Sequence, residues 1–335
     1  MPGSGFDERQ TAQFVVYRRG VRAVPLGAPR QAMILTYHRF GRQEGGVRIS
    51  AQAFAQQLAY LKAHYRPVPL SQLAAWLSSD KPIPSRLAAV TIDDGYHDAY
   101  DVAFPLLRKY RVPATVFVVS DFVEGKRWLW TDQSRYLTAR ALASPSDFRR
   151  RRCSLELFLG SAASREAAAE KINAALKALP EDAVNDALQR LAKELDVPLP
   201  AQPPAQFASI DWEQAREMAD GGVEIGSHTV THPILPCLNN ERLQEELRQS
   251  KTHIEAELRR KVESFCYPNG DYDSRALLEA ASAGYQCAVT TESGWNDRQS
   301  NPLALRRIHG EYDLPHFVQS TSGFERVMST PPNGE

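Results

Sequence analysis

Apolar residues fall into two alternating rhythms along this chain. Short, uninterrupted apolar runs at 31–37 (QAMILTY), 87–92 (LAAVTI) and 114–119 (ATVFVV) read as buried β-strands. Between them the spacing is helical: Phe54, Leu58 and Leu61 share one face of a helix capped by Ser50, a short helix follows at 71–77, and another pattern covers 98–109. The rhythm resumes after residue 210, with helices at 211–220, 239–260 and 274–283 and strands at 223–225, 264–267, 285–290 and 305–308. Strands that alternate with helices pair in parallel and collect polar residues at their C-terminal ends, so an α/β architecture is expected.

From about 126 to 206 the texture changes to Ala-, Arg-, Glu- and Leu-rich helical sequence that closes in the proline-rich run 198–204, the pattern of a helical insertion with a linker. The organisation expected is an N-terminal extension at 1–30 and one domain at 31–335, interrupted by this insertion. The tail from 330 reads as frayed, and no internal repeat is present.

Composition narrows the function. An apolar fraction of 43% with 24% charged residues is that of a globular chain, and 40 basic residues balance 40 acidic ones. That balance supplies no field for a phosphate backbone or an anionic bilayer, so nucleic acid is not an expected partner. No run approaches the roughly 20 apolar residues that span a bilayer, and the first residues lack a secretory core; the expected location is cytoplasmic. Cys153, Cys237, Cys266 and Cys287 show no CxxC spacing, and most of them read as small core residues.

Two constellations carry chemistry. Asp93 and Asp94 close an apolar strand and precede Gly95, which permits a sharp turn; neighbouring carboxylates leaving a strand point apart, so one can bind a cation while the other faces water. The same residues also suit an ordinary helix cap. His228 and His232, four apart just after a strand, would share one face of a helical turn and hold one metal jointly with Asp94, leaving positions open to water as in a catalytic zinc site.

These residues resemble the polysaccharide deacetylases, carbohydrate esterase family 4. The T-F-D-D-G motif is matched by Thr91-Ile92-Asp93-Asp94-Gly95 and H-[S/T]-x-x-H by His228-Thr229-Val230-Thr231-His232. The resemblance covers 32 to about 123 and 211 to about 309. It implies a distorted (β/α)7 barrel and a metal-dependent hydrolase that removes N-acetyl groups from an amino-sugar saccharide, with Asp93 as catalytic base and Asp94, His228 and His232 as ligands. Zn²⁺ is the favoured ion, with Co²⁺, Ni²⁺ and Mn²⁺ as alternatives.

Phe265-Cys266-Tyr267-Pro268-Asn269-Gly270 is similar to an F-x-Y-P-x-G third motif, which implies that the Tyr267 N–H helps to bind the oxyanion. The pattern departs from the family where Glu263 stands in place of an arginine that orients the base; Arg306 or Arg307 is the replacement, with Arg307 preferred. His309 is the candidate general acid, and His38 a candidate for lining the site. Trp128, Trp130 and Asp132 form a cluster suited to stacking on a sugar ring or to anchoring the insertion.

The expected substrate is a surface polysaccharide, a lipid-linked oligosaccharide or a nucleotide-sugar precursor, with association with polysaccharide-assembly proteins as a further expectation. Two alternatives stand beside this reading. One is a related C–N hydrolase acting on a small amide or cyclic ureide. The other is a non-catalytic metal-binding scaffold.

Overall fold

The computed structural model describes residues 31–41, 48–141 and 159–322. The expected N-terminal extension, the C-terminal tail and Cys153 lie outside them.

Eight strands are present among the described residues: β1 (Met33–Tyr37), β2 (Arg66–Pro67), β3 (Leu87–Ile92), β4 (Ala114–Val118), β5 (Glu224–Ser227), β6 (Ser264–Cys266), β7 (Cys287–Ser293) and β8 (Leu305–His309). All their pairings are parallel. β1 pairs with both β3 and β8, which closes β1 and β3–β8 into a seven-stranded barrel. The two-residue β2 pairs with the first residues of β3, before pairing to β4 begins at Val90.

Strands β1, β3 and β4 are wholly buried, as their continuous apolar runs require when helices cover the outside and side chains fill the inside. Residues alternate in two sets. Met33, Leu35, Ala88, Val90, Val116 and Phe265 pack with the surrounding helices, whereas Ile34, Ala89, Phe117, Cys266, Val289 and Leu305 form a separate cluster in the barrel. Gly226 makes room for the latter set, because a Cβ there would lie 2.5 Å from the Phe117 ring. The period-two alternation carries this inward row on to Thr91 and Asp93 from β3, to Arg307 and His309 from β8, and to His38 after β1.

The outer helices are α1 (Ala51–His64), α2 (Leu70–Leu77), α3 (Phe104–Tyr110) and the short α4 (Ser120–Val123); further along the chain come α5 (Trp130–Arg140), α6 (Ala162–Lys177), α7 (Glu181–Leu195), α8 (Trp212–Asp220), α9 (Asn240–Leu258), α10 (Ser274–Ser282) and α11 (Leu314–Thr321). The sequence expectation of one helix over 98–109 is modified: a π-helical turn at Ala99–Ala103 leads into α3, with Pro105 in its first turn.

Helices α5, α6 and α7 leave the barrel between β4 and β5 and form a second hydrophobic cluster, which reaches the barrel through Tyr96, Val119 and Phe122. Trp128 is 5% exposed and packs edge-on against Tyr136 and beside Phe207. It therefore anchors the added helices and is not displayed for stacking on a sugar.

Candidate active site

The C-terminal ends of β1, β3, β5, β7 and β8 open on a cavity of about 400 Å³ lined by His38, Asp93, Asp94, His228, His232 and His309 together with Asn269, Asp132 and Arg135. Parallel closure is what assembles it, since every strand delivers its last inward residue to the same end.

Asp93 is 2% exposed, and its carboxylate accepts a two-pronged pair of hydrogen bonds from Arg307, Nη1 to Oδ1 and Nη2 to Oδ2, both 2.7 Å. Arg307 is 1% exposed and is itself held in place: Nε donates to the Thr290 carbonyl at 2.7 Å and Nη1 to Thr91 Oγ1 at 3.0 Å. Of the two arginines weighed in sequence, Arg307 is the one that reaches Asp93. Arg306 is exposed and lies 3.6 Å from Glu292. The Asp93 backbone N–H donates to the Tyr37 carbonyl, and His38 Nε2 stands 3.5 Å from Oδ2. Burial alone would raise the pKa of this carboxyl, but the Arg307 charge, His38 and the Arg307 hydrogen bonds together hold it well below the usual carboxylate range.

Asp94 turns away from its neighbour. Its φ of 73° and that of Gly95 at 77° make a left-handed turn, and a Cβ on residue 95 would press on Val118 at 3.1 Å. Asp94 Oδ1 lies 3.4 Å from His228 Nε2 and 3.5 Å from His232 Nε2. Burial raises the Asp94 pKa, and the histidines around it, His228 foremost, bring it down to about 2.

His228 and His232 do not sit on a helical turn, which corrects the sequence expectation. The chain after β5 is a loop in which Thr229 (φ 71°) and His232 (φ 61°) are left-handed. For a β-branched threonine this backbone is costly, on the order of 1–3 kcal/mol. Local bonds offset it: the His232 N–H donates to Thr229 Oγ1 at 3.0 Å, and the buried Glu246 of α9 accepts from the N–H groups of Val230 (2.8 Å) and Thr231 (3.0 Å). The imidazoles converge because the loop folds back, not because they are one helical turn apart.

Asp94, His228 and His232 bring ligand atoms within 4.8 Å of one another. The donor set fits a divalent cation on two observations. His228 Nδ1 hydrogen-bonds the Cys266 carbonyl at 2.6 Å, which makes it the protonated nitrogen and leaves the Nε2 lone pair facing Asp94. The two imidazoles also shift in opposite directions. Burial lowers the pKa of both, yet His228, beside Cys266 and Asp94, ends well above the usual histidine value, whereas burial and the His228 charge press His232 down to about 3. Two imidazole nitrogens and one carboxylate oxygen thus converge where a divalent cation would lie.

One expectation is not met. The Tyr267 N–H donates to the Val289 carbonyl at 3.2 Å and its hydroxyl to the Leu303 carbonyl, so this residue, which follows β6 and lines the cavity, has its amide already engaged. The donor that the loop offers the cavity is Asn269, a left-handed residue (φ 55°) whose Nδ2 is buried and without a partner among the described residues. It occupies the variable position of the third motif, so no pattern could single it out.

His309 ends β8 and lines the same cavity; burial first, then the nearby charges of His38 and Arg307, lower its pKa. Sequence reading also misses the link between Asp132 and Tyr96: the Tyr96 hydroxyl donates to Asp132 Oδ2 at 2.7 Å and ties α5 to the turn that carries Asp94. Trp130 Nε1 donates to the His232 carbonyl at 3.3 Å.

Comparison with known proteins agrees with this architecture. The polysaccharide deacetylase family profile matches residues 80–151 and 162–288, more than half of the chain. YxkH of Bacillus subtilis, itself assigned to the polysaccharide deacetylases, is 23% identical over 281 residues, covering 84% of this chain and 71% of that protein. The poly-β-1,6-N-acetyl-D-glucosamine N-deacetylase of Staphylococcus epidermidis is 28% identical over 108 residues, which are 28% of this chain and 37% of that one. Among solved structures, the Streptococcus pyogenes deacetylase PplD in complex with acetate shares the fold with a TM-score of 0.59 at 21% identity, covering 88% of this chain and 99% of that chain. IcaB of Ammonifex degensii does so with a TM-score of 0.57 at 19% identity, covering 88% and 97%.

Proposed function

From the premise that this chain belongs to the polysaccharide deacetylase family, we propose that it is a metal-dependent hydrolase that removes N-acetyl groups from an amino-sugar saccharide. The observation that carries the reading is that Asp93, paired with Arg307, and the triad Asp94, His228 and His232 open on one cavity. A divalent cation held by that triad, Zn²⁺ by the chemistry of two imidazoles and a carboxylate, supplies Lewis-acid polarisation of the acetyl carbonyl and activation of water.

The chain's own residues do the rest. Asp93, kept ionised by Arg307, accepts a proton from the attacking water as its oxygen bonds to the acetyl carbon. Asn269, which lines the cavity and whose Nδ2 has no partner among the described residues, is the candidate donor for the developing oxyanion; such a donor contributes roughly 3–4 kcal/mol where it is well aimed. The C–N bond then breaks, and the proton passes to the leaving nitrogen from Asp93 or from His309 at the end of β8. Acetate and a free amine are the products.

A polymeric or oligomeric β-linked N-acetylglucosamine is the favoured substrate class, supported by the names of the Staphylococcus and Escherichia coli relatives, the latter 31% identical over 77 residues that are 12% of that protein. No described helix is long and apolar enough to cross a membrane. The test is acetate release from N-acetylglucosamine oligomers, nucleotide sugars and small cyclic ureides, before and after chelation. Release from the oligomers that stops on chelation and returns with Zn²⁺ or Co²⁺ is expected. Chelator-indifferent release removes the metal reading, and release from ureides alone removes the saccharide reading.

A further inference from the structure

Glu246 is a charged side chain that no part of the proposed chemistry uses, yet it is 0% exposed in the middle of α9. Its Oε2 accepts from the backbone N–H groups of Val230 at 2.8 Å and Thr231 at 3.0 Å. Its Oε1 accepts from Thr231 Oγ1 at 2.7 Å and from Arg242 Nη2 at 3.0 Å. Burying a carboxylate is costly unless its oxygens are satisfied, and four donors satisfy this one. Three of the four belong to the two residues that lie between Thr229 and His232, the left-handed residues of the loop.

We propose that Glu246 is a positioning residue for the cation: its carboxylate holds the strained 228–232 loop in the one conformation that aims both imidazoles at Asp94. The inference rests on the metal reading of the triad and extends it to a residue that touches neither ion nor substrate. Without the carboxylate, two backbone N–H groups lose their acceptor and the loop relaxes toward ordinary backbone, which moves His232 relative to Asp94. The His232 ring depends on its backbone for direction, because its Nδ1 is buried without a partner among the described residues, unlike the His228 Nδ1 that bonds Cys266. Removal of groups that orient a ligand typically weakens metal affinity about 10–100-fold.

The test titrates apo-protein with Zn²⁺ in competition with a chelating dye, for the wild type, Glu246→Ala, Glu246→Gln and Asp94→Asn, alongside apo-protein melting and acetate release over a range of Zn²⁺. Glu246→Ala is expected to bind Zn²⁺ about 10–100-fold more weakly. Glu246→Gln keeps one oxygen for the two N–H groups but turns an amide toward Arg242, so an intermediate loss of at least about threefold is expected; it decides the matter if the alanine variant does not fold. In the two Glu246 variants, acetate release at saturating Zn²⁺ returns to near the wild-type kcat with KM unchanged, which a general loss of structure would not permit. Wild-type affinity in the glutamine variant and in any folded alanine variant, or a loss of kcat that excess Zn²⁺ does not restore, overturns the assignment of Glu246 while leaving the metal site standing. If the wild type itself binds no better than Asp94→Asn, the metal reading fails and this inference with it.

Discussion

Asp93 and Asp94 are adjacent in sequence and meet different partners at the cavity, and the two walls they belong to are built on different principles. The Asp93 wall is ionic and long-range: a buried arginine 214 residues away is fixed by Thr290 and Thr91 and grips the carboxylate with two hydrogen bonds. The Asp94 wall is a loop of left-handed residues held by backbone bonds, by Glu246, and by contacts from α5 such as Asp132 to Tyr96 and Trp130 to the His232 carbonyl. A rigid ion pair suits a group that must keep one charge and one direction. A loop of converging imidazoles suits a group that shares a cation. One left-handed turn at Asp94 is thus enough to place two neighbouring carboxylates in two different environments.

Three substitutions probe that division. The largest effect is expected for Asp93→Asn, which keeps the size of the side chain but removes the base: acetate release should fall about 10²–10⁴-fold, while Zn²⁺ affinity stays within a few-fold of the wild type. Loss of metal along with turnover would show that the two walls are one unit.

Next comes Arg307→Met, read by denaturant unfolding. It leaves the Asp93 charge buried and unpaired, for which a loss of about 3–5 kcal/mol is expected. Adding Asp93→Asn should recover much of that loss, since no charge then remains without its partner. A cost below about 1 kcal/mol for the single change would mean that the pair does not hold this wall together.

The smallest effect concerns Asp132, where burial, working against Arg39, the Tyr96 bond and Arg135, pushes the carboxyl up to about 6. Its folded pKa lies above the unfolded one of about 3.9, so the native state binds the extra proton between those values. The stability it contributes is fully present below about pH 4 and is lost as pH rises through about 6. Asp132→Asn stays neutral, so relative to the wild type it should gain up to roughly 2–3 kcal/mol between pH 4 and pH 8. Unfolding midpoints measured across that range check this, and parallel curves for the two proteins would contradict it.

Much of the site is legible in the amino-acid sequence, for reasons that differ residue by residue. Asp93, Asp94, His228 and His232 announce themselves because a strand followed at once by polar residues and a sharp turn is a local pattern. Arg307 is narrowed to one of two neighbours; the choice against Arg306 needs the alternation of β8 inside a closed barrel, which sends one arginine inward and the other to solvent. The pairing of the Tyr267 amide is not legible, because a motif names residue types and not whether an amide is already engaged; its N–H donates to Val289. Asn269 and Glu246 carry no sequence signal, and Asp132 shows only its place in an aromatic cluster, since each matters through what it meets across the fold.

The sequence by itself determined the seven barrel strands and most of the helices, the end of the barrel at which polar residues gather, and the pairing of a two-carboxylate turn with two spaced histidines. These are short-range properties, set by hydrophobic period and by turn chemistry within a few residues. Tertiary structure alone decided which arginine meets Asp93, how a loop and not a helix brings His228 and His232 together, and that α5 supplies Asp132 to the wall beside Asp94. Those outcomes depend on barrel closure, which brings residues from distant parts of the chain into hydrogen-bond range at distances no local pattern encodes.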